Sequence, residues 1–290
     1  MAKAVLVRRN IISLIGFIIL FSKEIKTLIF AQDEPSMSFS NELETDGCLG
    51  LNYHRVLKDN VLTQSTRWFL NSDELVKYSV LTTELQHQLN ALTDAGAVFL
   101  SEDELLQAKN SGDFPDKCVW ISFDDIDYSV YEHAFPILKE AGVPFTLFLI
   151  AGHVGDKDFN NLKMTTWDEL REMQKSGLAS FGSHTYDMHR FEDETPVFLL
   201  AENRETFKHD LQKSIQTIEQ ELGVTVRSFA YPYGNTDDST SEVIREQGLE
   251  AGYILAPQTI RPTDDNFHLN RVLLNDTTFN EVVLPFIESQ

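Results

Sequence analysis

Residues 47–290 alternate short apolar or β-branched runs with amphipathic stretches, and that alternation restricts the chain to repeated βα units around a parallel sheet. Candidate strands fall at 49–53, 97–100, 118–123, 145–150, 179–182, 228–231 and 252–255, with helices near 82–93, 131–140, 166–175, 203–222 and 239–247. Gly142, Gly177, Gly223 and Gly248 stand just past four of these helices, where a left-handed C-cap favours glycine. About seven βα units fit one closed or nearly closed barrel. No internal repeat and no Pro-, Gly- or Ser-rich linker interrupts residues 47–290, so one catalytic-sized domain is expected there.

Ahead of that region, Lys3, Arg8 and Arg9 precede an apolar run over 11–21, which Lys23, Glu24 and Lys26 follow. This is the layout of an export signal. The run is shorter than the roughly 20 residues a membrane-spanning helix needs. Residues 1–31 therefore read as a cleaved signal peptide, with a retained N-terminal anchor as the alternative, and residues 32–46 as a polar linker. The working protein is expected to be secreted and associated with the cell surface. Lys and Arg total 24 against 45 Asp and Glu, and the loss of residues 1–31, with five cations and one anion, moves the formal charge from −21 to −25. Such a surface repels polyanions, which argues against nucleic acid as a partner. Two cysteines are too few for a disulfide scaffold, and no Cys-x-x-Cys pair offers a structural zinc or redox signature.

Active-site residues of such barrels lie at the C-terminal ends of strands and in the loops that follow. Four places there carry residues suited to chemistry. The run Val119-Trp120-Ile121-Ser122-Phe123 ends in Asp124 and Asp125. One adjacent carboxylate can ligate a cation while the other serves as a base, although such a pair also serves as a turn or helix cap. His184 and His189 lie five residues apart, about 140° on a helix or on opposite faces of a strand, so only a turn brings them together. With one carboxylate they suit a divalent transition metal and leave positions open for water and substrate; a solvated surface loop is the alternative. Asp187 between them can fix a ring tautomer. In Tyr231-Pro232-Tyr233-Gly234, a rigid turn can hold backbone amides outward as oxyanion donors while the tyrosines wall a groove. His54, ending the first strand, is a candidate general acid or else a rim histidine.

Together these segments resemble the polysaccharide deacetylases of carbohydrate esterase family 4, the NodB-homology proteins. Ser122-Phe123-Asp124-Asp125 looks like that family's Asp-Asp motif, 183–189 like its metal-histidine motif and Tyr231-Pro232-Tyr233-Gly234 like its groove-wall motif. A Tyr53-His54 motif placed before the Asp-Asp motif is similar to the circularly permuted branch acting on poly-β-1,6-N-acetylglucosamine. The likeness covers residues 47–276, nearly the whole mature chain. It implies a single distorted (β/α)7 barrel and a metal-dependent hydrolase that removes N-acetyl groups from a cell-surface or biofilm polysaccharide. The resemblance assigns Asp125, His184 and His189 to a divalent metal, with Zn²⁺ expected and Co²⁺ or Ni²⁺ able to serve. It makes Asp124 the base and His54 the acid, with His153 as rival or rim contact, and gives Tyr231, Pro232, Tyr233 and Gly234 to substrate and oxyanion. A polysaccharide is the implied partner and a monomer the expected form. The rival readings are a chitooligosaccharide or peptidoglycan deacetylase and a retired enzyme that only binds glycan.

This sequence departs from the family in two ways. The histidine pair is usually one residue closer, and the groove-wall motif usually begins with an arginine that orients the base, where this chain has Ala230 and Tyr231. Arg271 is the candidate replacement, followed by Arg55. Cys48 and Cys118 each lie six residues before a candidate catalytic residue, so they are expected at one level of neighbouring strands. Directly paired strands rarely meet disulfide geometry, and two reduced, buried thiols are expected. Thr66-Arg67-Trp68-Phe69-Leu70 reads as an apolar loop that dips into a membrane interface, stacks on sugars or packs under the barrel rim. His87, His133 and His209 fall in expected helices and read as surface residues.

Overall fold

The computed structural model describes residues 47–70 and 73–290; the expected signal peptide and linker lie outside the described residues. The first strand, β1 (Leu49–Tyr53), is followed by a short pair, β2 (Arg55–Leu57) and β3 (Ser79–Leu81), then β4 (Val98–Leu100), β5 (Cys118–Phe123), β6 (Phe145–Leu149) and β7 (Ala179–Ser183). A hairpin, β8 (Phe191–Glu192) and β9 (Thr195–Pro196), precedes β10 (Ser228–Ala230), β11 (Ala251–Tyr253) and β12 (Val272–Leu273). The main sheet is parallel in the order β11-β10-β7-β6-β5-β1-β12, and β4 adds to the lower part of β5. Backbone bonds from Ile254 N–H to Leu269 O (2.9 Å) and from Ala256 N–H to Arg271 O (3.0 Å) join β11 to the segment that runs into β12. These bonds tie the two ends of the sheet together, giving the distorted barrel that the βα alternation predicts.

The α-helices of seven or more residues are α1 (Val61–Leu70), α2 (Thr82–Asp94), α3 (Glu102–Ser111), α4 (Phe135–Ala141), α5 (Trp167–Lys175), α6 (Arg204–Leu222) and α7 (Asp238–Glu246). One turn of π-helix, Val130–Ala134, leads into α4. All four glycines expected past helix ends have positive φ. Among the described residues no helix is long and apolar enough to cross a membrane.

Strand alternation sorts side chains into two cores. Leu49, Leu51, Tyr53, Val119, Ile121, Phe123, Phe145, Leu147 and Leu149 face the helices in the larger cluster. Cys48, Cys118, Trp120, Phe148, Ala230, Tyr253 and Leu269 fill the interior, with Leu105 and Leu106 of α3 packed among them. The same parity carries Asn52, Ser122 and Asp124 inward, so the upper end of the barrel interior is where polar side chains gather. In register, Leu49 pairs with Val119 and Asn52 with Ser122, which sets β1 and β5 level at their C-terminal ends.

Two expectations are corrected here. Cys48 and Cys118 do stand at one level, but they form a disulfide, with Cα atoms 4.6 Å apart. Cys48 precedes the β1–β5 ladder. Its backbone N–H and C=O pair with Ile260 (2.9 and 2.8 Å), and the register that sets Leu49 opposite Val119 brings Cys48 opposite Cys118, within the Cα separation a disulfide accepts. Residues 66–70 are not a loop: they form the C-terminal half of α1, which buries no residue. Val61, Leu62, Trp68, Phe69 and Leu70 are all exposed, so none packs under the rim.

The bond closes a loop with a sequence separation of 70 residues. Replacing both cysteines with alanine should lower the unfolding free energy by about 2–5 kcal/mol in chemical denaturation. An unchanged midpoint would contradict this structural role.

Candidate active site

The site gathers where β1, β5, β7 and β10 end. Asp124 N–H donates to Tyr53 O (3.0 Å), extending the β1–β5 pairing by one residue, and the chain then turns: Asp125 and Ile126 have φ of 65° and 67°. Left-handed backbone at two non-glycine residues costs on the order of 1–3 kcal/mol each. The turn sends the two adjacent carboxylates in different directions.

Asp124 points inward and is 2% exposed. Arg271, wholly buried, donates from Nη1 to its Oδ1 (2.6 Å) and from Nη2 to its Oδ2 (2.8 Å), and also from Nη1 to Ser122 Oγ (3.1 Å). Burial raises the Asp124 pKa, but the Arg271 guanidinium, together with His184 and His54, outweighs it and holds the carboxyl below its usual range. Arg271 is thus the arginine that holds Asp124, the candidate base, and Arg55 sits instead in β2.

Asp125 faces the histidines. Its Oδ1 lies 3.4 Å from His184 Nε2 and 3.3 Å from His189 Nε2, and the three ligand atoms fall within 4.8 Å of one another. Burial raises the Asp125 pKa, but the neighbouring histidines together outweigh it and depress it. Two donors about 2.1 Å from one tetrahedral ion stand about 3.4 Å apart. The buried Asp125 Oδ1 has no hydrogen-bond partner among the described residues, so the residues present fit a divalent cation. His184 Nδ1–H donates to Ala230 O (2.7 Å), leaving the Nε2 lone pair toward Asp125. Burial pushes the His189 pKa down to about 4, which keeps that ring neutral as a ligand must be. Burial also lowers that of His184, but the Asp124 and Asp125 carboxylates outweigh it.

The histidines converge through a turn, as their spacing requires. Thr185 has φ of 78°, and the Tyr186 and Asp187 amides donate to Asp210 of α6 (2.7 and 2.8 Å). Asp210 is a supporting residue that sequence reasoning missed; its only signal is a carboxylate one residue from Leu211 on the packed face of α6. Asp187 does not act as expected. Its Oδ1 bonds His153 Nε2 (2.8 Å), while Asp156 holds His153 Nδ1 (2.8 Å), so Asp187 orients neither candidate ligand. His153, engaged at both nitrogens and stacked on Phe159, is a rim residue.

His54 follows β1, its ring edge-on to Tyr78 at 5.1 Å between centroids. Burial lowers its pKa, while Asp125 and Asp124 oppose that shift. The Tyr-Pro-Tyr-Gly turn corrects another expectation. Tyr231 is fully buried and donates to Phe267 O (3.0 Å), and Pro232 and Gly234 are buried too. A Cβ on Gly234 would lie 2.3 Å from Leu255, so only glycine fits that turn. Of the four, Tyr233 alone presents its ring to the site, with φ of 61° and its centroid 4.5 Å from that of His189.

Residues 111–252 match the sequence family described as polysaccharide deacetylase. Poly-beta-1,6-N-acetyl-D-glucosamine N-deacetylase of Staphylococcus aureus (strain MRSA252) is 36% identical over 253 residues, covering 87% of each chain. The protein of the same name from Staphylococcus epidermidis is 33% identical over 240 residues, 83% of each chain. Among solved structures, IcaB from Ammonifex degensii matches with a TM-score of 0.75 at 33% identity, over 85% of this chain and 99% of that one. A de-N-acetylase from Aggregatibacter actinomycetemcomitans, 23% identical, shares the fold with a TM-score of 0.69 over 83% of this chain and 100% of that one.

If Asp125, His184 and His189 form one metal site, His184→Ala or His189→Ala should lower bound Zn²⁺ well below one per chain by elemental analysis after dialysis. Full occupancy in both variants would contradict the assignment.

Proposed function

Because the chain belongs to the polysaccharide deacetylase family, we propose that it is a metal-dependent N-deacetylase acting on poly-β-1,6-N-acetylglucosamine. The names of the curated relatives support the substrate. The observation that carries the reading is the division of one carboxylate pair: Asp124 is locked on Arg271 while Asp125 turns to the histidines. A retired enzyme that only binds glycan would have no need of so costly an arrangement.

A divalent metal held by Asp125, His184 and His189 would supply Lewis acidity to the acetyl carbonyl and a water acidified to a pKa of about 7; Zn²⁺ is the metal we expect. Asp124, kept ionised by Arg271, takes a proton from the attacking water. Attack on the acetamido carbon gives a tetrahedral oxyanion, and the backbone N–H of Tyr233 is its proposed donor. His54 delivers a proton to the sugar nitrogen, the C–N bond breaks, and acetate and a free amine leave. A pKa pulled down by burial makes its imidazolium a better donor, and the two carboxylates nearby favour that charged form.

The disulfide and the N-terminal charge layout support secretion, since such bonds persist in oxidising compartments. The exposed Trp68, Phe69 and Leu70 of α1 support peripheral association with the membrane surface.

Acetate release from β-1,6-linked N-acetylglucosamine oligomers should stop on chelation and return with Zn²⁺, Co²⁺ or Ni²⁺. Activity on β-1,4-linked oligomers alone would overturn the substrate. His54→Ala should reduce deacetylation of oligomers by about 10²- to 10⁴-fold and leave metal content intact. Hydrolysis of an activated aryl acetate should fall far less, because a phenolate departs unprotonated. Equal losses on both substrates would show that His54 positions the site instead of donating the proton.

A further inference from the structure

Beside the metal ligands stands an aromatic side chain that the reaction does not use. Phe191 follows His189 by two residues and opens the β8–β9 hairpin, where it pairs with Pro196. Asp193 and Glu194 at the tip have φ of 44° and 67°, the mirror-image turn that lets a two-residue hairpin close. Val197 N–H donates to Arg190 O (3.0 Å), and Pro196, Val197 and Phe198 are buried, so the base of the hairpin is anchored in the fold.

Phe191 is nonetheless 52% exposed. Its ring centroid lies 4.0 Å from that of Tyr233, whose centroid lies 4.5 Å from that of His189. Three rings therefore run from a candidate metal ligand out to solvent. Leaving half a phenyl group in water sacrifices hydrophobic stabilisation, and a fixed aromatic face beside a polar site suits one kind of ligand surface especially well. The C–H face of a pyranose ring packs flat on it while the hydroxyls remain in water.

We propose that Phe191 is a substrate-binding residue that takes the sugar next to the one losing its acetyl group, so that the site selects chains over single sugars; this rests on the deacetylase reading. Tyr233 stands between Phe191 and the metal ligands, so the reacting sugar lies on the Tyr233 side and only a linked neighbour reaches Phe191. A contact far from the reacting atoms is made equally in ground and transition states, and its loss raises KM without lowering kcat.

Steady-state kinetics of wild type, Phe191→Ala and Phe191→Tyr on β-1,6-linked oligomers of increasing length and on an aryl acetate test this. Phe191→Ala should raise KM for oligomers by about 3- to 10-fold, with kcat, Zn²⁺ content and aryl acetate hydrolysis unchanged. Phe191→Tyr should restore KM. An unchanged KM at every chain length would overturn the proposal. So would equal losses on oligomers and aryl acetate, because Phe191 would then act on the site through Tyr233. A wild-type enzyme inactive on every oligomer would overturn the deacetylase reading, and this inference with it.

Discussion

A buried arginine holding a buried carboxylate organises this molecule. Arg271 and Asp124 come from segments 147 residues apart in sequence, and both sit in the interior of the barrel. Removing one partner of such a pair leaves an uncompensated charge and costs about 3–5 kcal/mol. The pair therefore depends on the ring of strands that brings the end of β5 level with the segment entering β12. It also secures the inward place that strand parity gives Asp124, while the left-handed turn at Asp125 sends the second carboxylate to the histidines.

The strain around the site follows the same logic. Asp125, Ile126, Thr185 and Tyr233 all hold positive φ without being glycine. Each sits where a strand end must redirect a side chain: a carboxylate toward the histidines, a histidine loop back on itself, a tyrosine ring into the groove. Packing and hydrogen bonds from neighbouring elements, such as Asp210 on the histidine loop, stabilise these conformations.

Much of this was legible in the sequence. Short apolar runs located seven of the eight strands of the main sheet within a residue or two, since a parallel strand buried on both faces reads as an apolar run, whereas the two-residue β12 was too short to register. Residues at the ends of those runs gave the candidate base, metal ligands and acid. Arg271 was identifiable as an arginine set directly against the apolar run Val272-Leu273-Leu274 in a chain whose groove-wall motif lacks its usual arginine. Other features left weaker traces. The α3 helix begins with a Ser101–Glu104 capping box and ends at Gly112, a signal present in the sequence that the strand pattern overshadowed. Asp187 stands between the two histidines in sequence, yet the turn at Thr185 swings it to His153. Tyr231 and Tyr233 look equivalent in sequence, but strand parity sends Tyr231 to the helix-facing core and a left-handed residue sends Tyr233 to the site. The disulfide was hidden because equal spacing gives the level of the two cysteines but not how closely their Cα atoms approach.

The central claim is that adjacent carboxylates do different work. Measuring metal content and acetate release together in Asp124→Asn and Asp125→Asn tests it most directly. The account predicts that Asp124→Asn keeps Zn²⁺ at the wild-type level and loses turnover, whereas Asp125→Asn loses both metal and turnover. Near wild-type turnover in Asp124→Asn, or loss of metal in that variant with retention in Asp125→Asn, would contradict it.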